Sequence, residues 1–354
     1  MQFNKLTVFL LPAVAFAQTY TDCNPTEKTC DSDVGLNQSS YTVDFTEGES
    51  DDWKMTYGNA SYDDNGVTFT ITESGNAPTM QSNFYFFFGT VSAVVKASSG
   101  TGIVSCVILE SDDLDEIDWE WLGGDVDQVQ TNYFGKGNTT SYDRGTYETV
   151  SDSQGTWHNY TIEWTSAHTT WYIDGSAVRT LNYADAVDGK NYPQTPMRVK
   201  LGSWSASDSG SEGTIEWAGG ETDYADGPFT MHVKSISINN YNPGSTYTYG
   251  DLTGSYSSIE IDAEGATTSN TTSTGSISDT TSAGNTTDVT SSNSSSSATS
   301  SSSGSTSSST SSTSSSSSSK STSSTTASSA SVMNSVSFIG QLLAVAVPAL
   351  MYLA

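Results

Sequence analysis

The run Asp112-Asp-Leu-Asp-Glu116-Ile-Asp118-Trp-Glu120-Trp-Leu122 holds the densest set of groups in this chain able to do acid–base chemistry. Read as a β-strand, it places Glu116, Asp118 and Glu120 on one face and Ile117, Trp119 and Trp121 on the other. Carboxyls lined up along a strand repel one another and have poor β-propensity. A strand that packs Ile and Trp on one side while aligning acids on the other is holding those acids for use. Alpha carbons four residues apart on a strand lie roughly 13 Å apart, at about 3.3 Å per residue. Two glutamates leaning together can bring their carboxyls toward the roughly 5–5.5 Å of a retaining glycosidase, one as nucleophile and the other as general acid/base. Asp118 between them can hydrogen-bond one carboxylate, and neighbouring negative charge raises the pKa of the acid. Two other readings stay open. A solvated acidic surface conflicts with the interleaved Ile and Trp, and a calcium loop from Asp112, Asp113 and Asp115 lacks the EF-hand spacing.

The elements that would position these acids read as strands. Val67–Thr72, Phe84–Ala97, Ile103–Glu110, Glu116–Leu122, Gln128–Phe134, Trp157–Trp164, Thr170–Ile173, Met197–Trp204 and Met231–Ile238 are rich in β-branched and aromatic residues and are separated by Gly, Asn and Asp. In His158–Trp164 the even positions share one face, and Asp174-Gly175 is a hairpin turn of the D-G type. No segment carries sustained helical periodicity with caps. The fold expected is all-β, a jelly-roll sandwich of the concanavalin A-like kind, followed by a disordered Ser/Thr-rich stalk. All eight Trp lie between Trp53 and Trp217, so one aromatic core serves one domain.

Charge and composition narrow the partners. Forty acidic and twelve basic residues give a net charge of −28, with no basic stripe. That excludes a nucleic-acid surface and disfavours phosphorylated substrates, whereas a neutral polysaccharide is unaffected. Three Cys and three His without a C-x-x-C leave little room for zinc, and neither a metal nor a cofactor is expected. No Ser/His/Asp set or phosphate loop competes.

Both ends read as addresses. Residues 1–17 join Lys5, a short apolar run and Ala15-Phe16-Ala17 into a secretory signal peptide. Residues 329–354 close on an apolar tail without a basic stop, the pattern of a GPI-attachment signal, with Ser329 or Asn334 as the ω residue. Residues 18–250 then form the catalytic domain and 251–328 a glycosylated stalk that lifts it from the outer face of the membrane or into the wall. Sequons at Asn37, Asn59, Asn138, Asn159, Asn270, Asn285 and Asn293 agree with secretion, and Cys23 and Cys30 are expected to pair in that oxidising compartment. Cys106, inside an apolar run, reads as a buried free thiol.

At Asp115-Glu-Ile-Asp-Trp-Glu120 the chain resembles the D-E-I-D-x-E signature of glycoside hydrolase family 16, and its surroundings are similar to the fungal Crh-type cell-wall transglycosylases. Gln128–Gly137, Trp157–Trp164, Trp171–Gly175, Pro196–Trp204 and Gly213–Gly220 continue the resemblance across the folded part. It implies Glu116 as nucleophile, Glu120 as acid/base and a substrate contact, and Asp118 as helper acid. It also implies Lys200, Trp204 and Thr214 as residues that hold chitin. Sugar rings stack on exposed aromatics such as Trp204, and Lys and Thr offer donors to hydroxyls. Gln130, Tyr133 and Arg198 are further contact candidates, whereas Trp157, Trp164 and Trp171 read as core and His158 and His168 as structural. The partners implied are a chitin donor, a β-glucan or chitin acceptor, and a GPI lipid. Other readings are a chitin or β-glucan hydrolase, a non-catalytic glycan-binding module, and an inert structural mannoprotein.

Overall fold

The computed structural model describes residues 21–267. The signal peptide, most of the stalk, the ω candidates Ser329 and Asn334, and the sequons at Asn270, Asn285 and Asn293 lie outside the described residues. Within them, two antiparallel sheets pack face to face, the aligned arrangement of a sandwich. One sheet runs Thr146–Thr149, Gln128–Phe134, Glu116–Leu122, Ile103–Ser111, Met197–Ser205, Thr79–Ser82, Trp53–Tyr57. The other runs Ser176–Asn182, His168–Ile173, His158–Trp164, Gly89–Lys96, Phe229–Asn240, Gly66–Ile71, Ser61–Asp63, with Ser40–Asp44 also paired to Phe229–Asn240.

The acid strand shows why the sheets meet as they do. Ile117, Trp119 and Trp121 are all buried. Their partners across the interface are the even residues of His158–Trp164: the Tyr160 ring lies 5.3 Å from Trp119 and 4.6 Å from Trp121, edge to face in both cases. Burying each such side chain contributes about 1.5–3 kcal/mol, so the apolar face locks the register of the acid strand. Trp171, from the opposite sheet, donates its indole N–H to the Asp118 carbonyl at 3.1 Å, a second tie on the same strand. The Asp174-Gly175 hairpin is present, with positive φ at both residues (50° and 79°).

Four expectations need correction. Phe84–Ala97 is not one strand: Phe84–Phe88 is irregular and buried, and the strand is Gly89–Lys96. The folded part passes residue 250, because Thr246–Tyr249 pairs with Ile259–Asp262 and Thr267 bridges Gln38. Among the described residues one short α-helix, Glu212–Trp217, is capped by Ser211, whose Oγ accepts from Thr214 N; it is too short to show a periodicity in sequence. Trp157 is not core but lies on the outer face, with Lys96 and Lys234 over its ring at 4.9 and 5.3 Å. Trp164 and Trp171 are buried as expected, and His158 is structural, bonded to Asp174 and the Ser151 carbonyl.

Candidate active site

Residues directly opposite in an antiparallel ladder project from the same face. Register therefore maps the acid face of the first sheet as rows running across strands. One row is Phe134, Glu116, Glu110, Arg198. The next is Asn132, Asp118, Ile108, Lys200, Gln81, Lys54. The third is Tyr147, Gln130, Glu120, Cys106, Gly202, Thr79, Tyr57. The three acids thus occupy three adjacent rows on one strand.

Their environments differ, and that difference assigns roles. Burial, then the charge of Glu116, then that of Glu120 hold the Asp118 carboxyl far above the usual carboxylate range. Asp118 is therefore a neutral acid set between Glu116 and Glu120. Glu120 is pushed up to about 8, by burial first and by the charge of Glu116 second. Burial, rather than neighbouring charge alone, is what keeps Glu120 protonated at neutral pH. A raised Glu120 separated from Glu116 by a neutral acid is an arrangement in which one carboxyl can serve as general acid and the other as nucleophile.

The strand begins from a tied loop. Asp113 and Asp115 are fully buried, and Lys136 reaches both at 3.2 and 2.6 Å. Thr195 Oγ1 donates to both acids, at 2.7 and 2.9 Å, and Gln194 N donates to Asp115 at 2.7 Å. Two carboxyls share one ammonium, so Lys136 is held charged while burial and Asp113 raise Asp115 to about 6. Asp112 accepts from the Tyr85 hydroxyl and faces Arg198 at 3.5 Å. These Asp are bound to neighbours of this chain, which sets the start of the acid strand.

Beside the acids, a cleft of about 1110 Å³ is lined by Lys200, Trp204, Thr214, Arg198, Glu110, Gln81 and Lys54 among others. The cleft abuts the acid strand through Glu110, the partner of Glu116, rather than covering the three acids. Lys200 is buried and ion-paired with Glu110, and burial lowers its pKa to about 8. Trp204 is half-buried and stacks on Trp217, with ring centroids 6.2 Å apart and planes at 24°. The structure brings Lys200, Trp204 and Thr214, which the resemblance implied as chitin contacts, to one cleft, and sets the contact candidate Gln130 opposite Glu120. Arg198 lines the cleft but is engaged by Asp112 and lies 4.1 Å over the Tyr85 ring.

Tyr133 is a misassignment. It stands opposite Ile117, on the core side, and is buried beneath Arg144 and Arg179. The aromatic that does stand on the acid face is Tyr147, half-exposed, opposite Gln130, with its phenol pulled up by burial first and by the charge of Glu120. Tyr147, Trp217, Glu110 and Gln81 were not anticipated; only Glu110, an acid closing an apolar strand, carried a signal.

Cys23 and Cys30 form a disulfide, and Cys106 is a buried thiol on the acid face that donates to the Gly202 carbonyl at 3.3 Å. Asn59 and Asn159 are exposed, whereas Asn37 donates to the Glu264 carbonyl and Asn138 to Asn191.

A sandwich whose one strand aligns three carboxyl groups beside a glycan-sized cleft has the architecture of a retaining glycosidase-type enzyme. The family model for glycosyl hydrolases family 16 matches residues 47–219. Crh-like protein 1 of Aspergillus fumigatus is 59% identical over 260 residues, covering 73% of this chain and 71% of its own length. Crh-like protein 5 of the same organism is 56% identical, covering 73% of this chain and 67% of its own length. The solved structure of Crh5 transglycosylase in complex with NAG superposes with a TM-score of 0.67 at 57% identity, over 68% of this chain and all of that one. The chain belongs to the Crh-like transglycosylases of glycosyl hydrolase family 16.

Proposed function

We propose that this protein cleaves a chitin chain with retention and transfers the released segment to β-glucan or to another chitin chain. The observation that carries this reading is the alignment of Glu116, Asp118 and Glu120 on one strand face, with burial first and the charge of Glu116 second pushing Glu120 up to about 8. A Glu116 oxygen attacks the anomeric carbon while Glu120 gives its proton to the departing glycosidic oxygen. In the glycosyl-enzyme, Glu120, now ionised, takes the proton of an acceptor hydroxyl whose oxygen displaces Glu116. The half-reactions return both acids to their starting states. Asp118, held neutral, donates to Glu116 and steadies the charge that returns when the ester breaks.

We assign the donor chain to the cleft beside Lys200, Trp204 and Thr214, and the acceptor to the side of Gln130 and Tyr147. The chitin assignment is supported by the NAG bound in the related Crh5 transglycosylase, since NAG is the repeating unit of chitin. The aromatic pair Trp204–Trp217 and the neutral-compatible acidic surface suit an uncharged polysaccharide. The signal peptide, stalk and GPI signal read from the sequence place the domain outside the cell, tethered at the membrane or built into the wall.

Incubating the protein with chitin oligosaccharides and a fluorescent glucan or chitin acceptor tests the reading. Longer labelled products are expected from the wild type and from neither Glu116→Gln nor Glu120→Gln. Shorter unlabelled sugars alone make the protein a hydrolase with the same machinery. Binding without any product, from chitin or β-glucan, makes it a lectin.

A further inference from the structure

Glu110 is a fourth carboxyl on the acid face. It lies near the end of Ile103–Ser111, stands directly opposite Glu116 in the ladder, and is 2% exposed. Cβ atoms directly opposite in an antiparallel pair are about 4.5–5.5 Å apart, so two buried glutamates face one another across one ladder. Like charges that close resist ionising together, and a cation held to one of them relieves the pair. Two cations stand on Met197–Ser205, the next strand. Arg198, directly opposite Glu110, is turned to Asp112 and the Tyr85 ring. Lys200, one row on, is the ion-pair partner of Glu110, and the pair is buried. The other charged groups around Glu116 are Asp118 and Glu120 on its own strand and Asp115 at its start, the last bound by Lys136. Phe134, opposite Glu116 on Gln128–Phe134, carries no charge. Arg179, which acts on Asp118 from the other sheet, is bonded to the Thr131 and Arg144 carbonyls.

We propose that Glu110 is a positioning residue for the nucleophile: with Lys200 as its counterion, it sets the charge state of Glu116 across the ladder. This rests on the reading of Glu116 as nucleophile above. Glu110 acts through Glu116 and touches neither the sugar nor the reacting carbon. Its anion opposes the ionisation of Glu116, which makes the Glu116 carboxylate more basic and so a stronger nucleophile. Lys200 is rooted one strand further from Glu116 and one row on, so its ammonium offsets only part of that field. The ion pair thus lets a second anion sit opposite the nucleophile without forcing either carboxyl to stay protonated.

The test measures kcat/KM for transfer from one chitin oligosaccharide to one fluorescent acceptor from about pH 3 to 8, a range that brackets a carboxylate. It compares wild type, Glu110→Gln, Glu110→Asp and the double variant Glu110→Gln/Lys200→Met. The acid limb of the profile reports the ionisation of Glu116 in the free enzyme. Glu110→Gln removes the opposing anion and leaves the ammonium uncompensated, so its limb is expected about one pH unit lower. Glu110→Asp keeps the charge, and its limb is expected to stay with the wild type. The double variant removes the cation as well, and its limb is expected between those of wild type and Glu110→Gln. A Glu110→Gln limb that is unmoved or raised overturns the proposal. So does a loss through KM alone that is the same at every pH, the mark of a packing or sugar contact. If the uncompensated lysine keeps Glu110→Gln from folding, the double variant decides by itself, because a buried ion pair is often replaceable by neutral groups of similar volume. Its limb at the wild-type position then overturns the proposal. A Glu116→Gln protein that still transfers sinks the nucleophile reading instead, and is told apart because it is assayed before any Glu110 variant.

Discussion

Replacing Asp118 separates a neutral hydrogen-bond donor from a working acid. Burial and two flanking glutamates hold Asp118 protonated, and a protonated carboxyl facing Glu116 is mimicked by the amide of asparagine. Asp118→Asn should therefore keep the hydrogen bond to Glu116, and kcat/KM for transfer should fall by no more than about tenfold. Asp118→Ala removes it. A hydrogen bond to a charged group contributes about 1.5–3 kcal/mol, so the loss should be about ten- to 150-fold. Stability gives an independent reading. The folded pKa of Asp118 is raised, so the native state keeps a proton that the unfolded chain releases above about pH 4. Stability is then lost as pH rises from about 4 toward the folded pKa. Asparagine has no such proton, so Asp118→Asn should melt at or above the wild type at pH 7 and lose that margin near pH 3. Steady-state transfer rates and melting curves across pH check both. If Asp118→Asn is as inactive as Asp118→Ala, or gains no stability at pH 7, Asp118 is ionised or moves a proton, and the assignment of a neutral helper is wrong.

The other predictions follow from the remaining raised acids. Glu120 stands at about 8, so kcat/KM should fall above pH 8 as the general acid deprotonates; Glu120→Gln should lose this alkaline limb along with most activity, measured with a donor bearing a good leaving group. Asp33 is raised to about 8, and Asp112 and Asp115 to about 6, each by burial first. By the same sign, stability should fall between about pH 4 and 6 through Asp112 and Asp115 and on toward 8 through Asp33, so the melting temperature should be higher at pH 4.5 than at pH 8. A melting profile rising toward alkaline pH would contradict the burial of these groups.

What the sequence disclosed and what it hid divide along the length of the contacts involved. The acid strand was legible because its evidence is local: an alternation of seven residues displays the acids and the packing face at once. The boundaries Glu116–Leu122 and Gln128–Phe134 agree with the structure to the residue. Tyr133 could have been placed by the same rule. It lies three residues from Gln130 on one strand, so the two cannot share a face, and Gln130 is the one opposite Glu120. Trp157 misled for the opposite reason: a tryptophan ring covered by two lysine stems on the outer face has the same composition signature as one in the core. Phe84–Phe88 was read as strand because a run of buried aromatics has no period by which to reject it.

Gln81, Lys200 and Tyr147 were beyond such rules because what joins them to Glu116 is register between strands far apart in the chain. Lys200 faces Gln81 across one ladder and Ile108 across another, while Ile108 faces Asp118. A slip of one residue in any of these ladders would turn one member of the row into the core. The Trp119, Trp121 and Tyr160 packing fixes one of them, and the Trp171 bond to the Asp118 carbonyl reinforces it. The apolar face of the acid strand therefore determines more than where Glu116 and Glu120 point. By setting the register it also determines which side chains, some contributed from over 80 residues of sequence away, stand in line with them across the sheet.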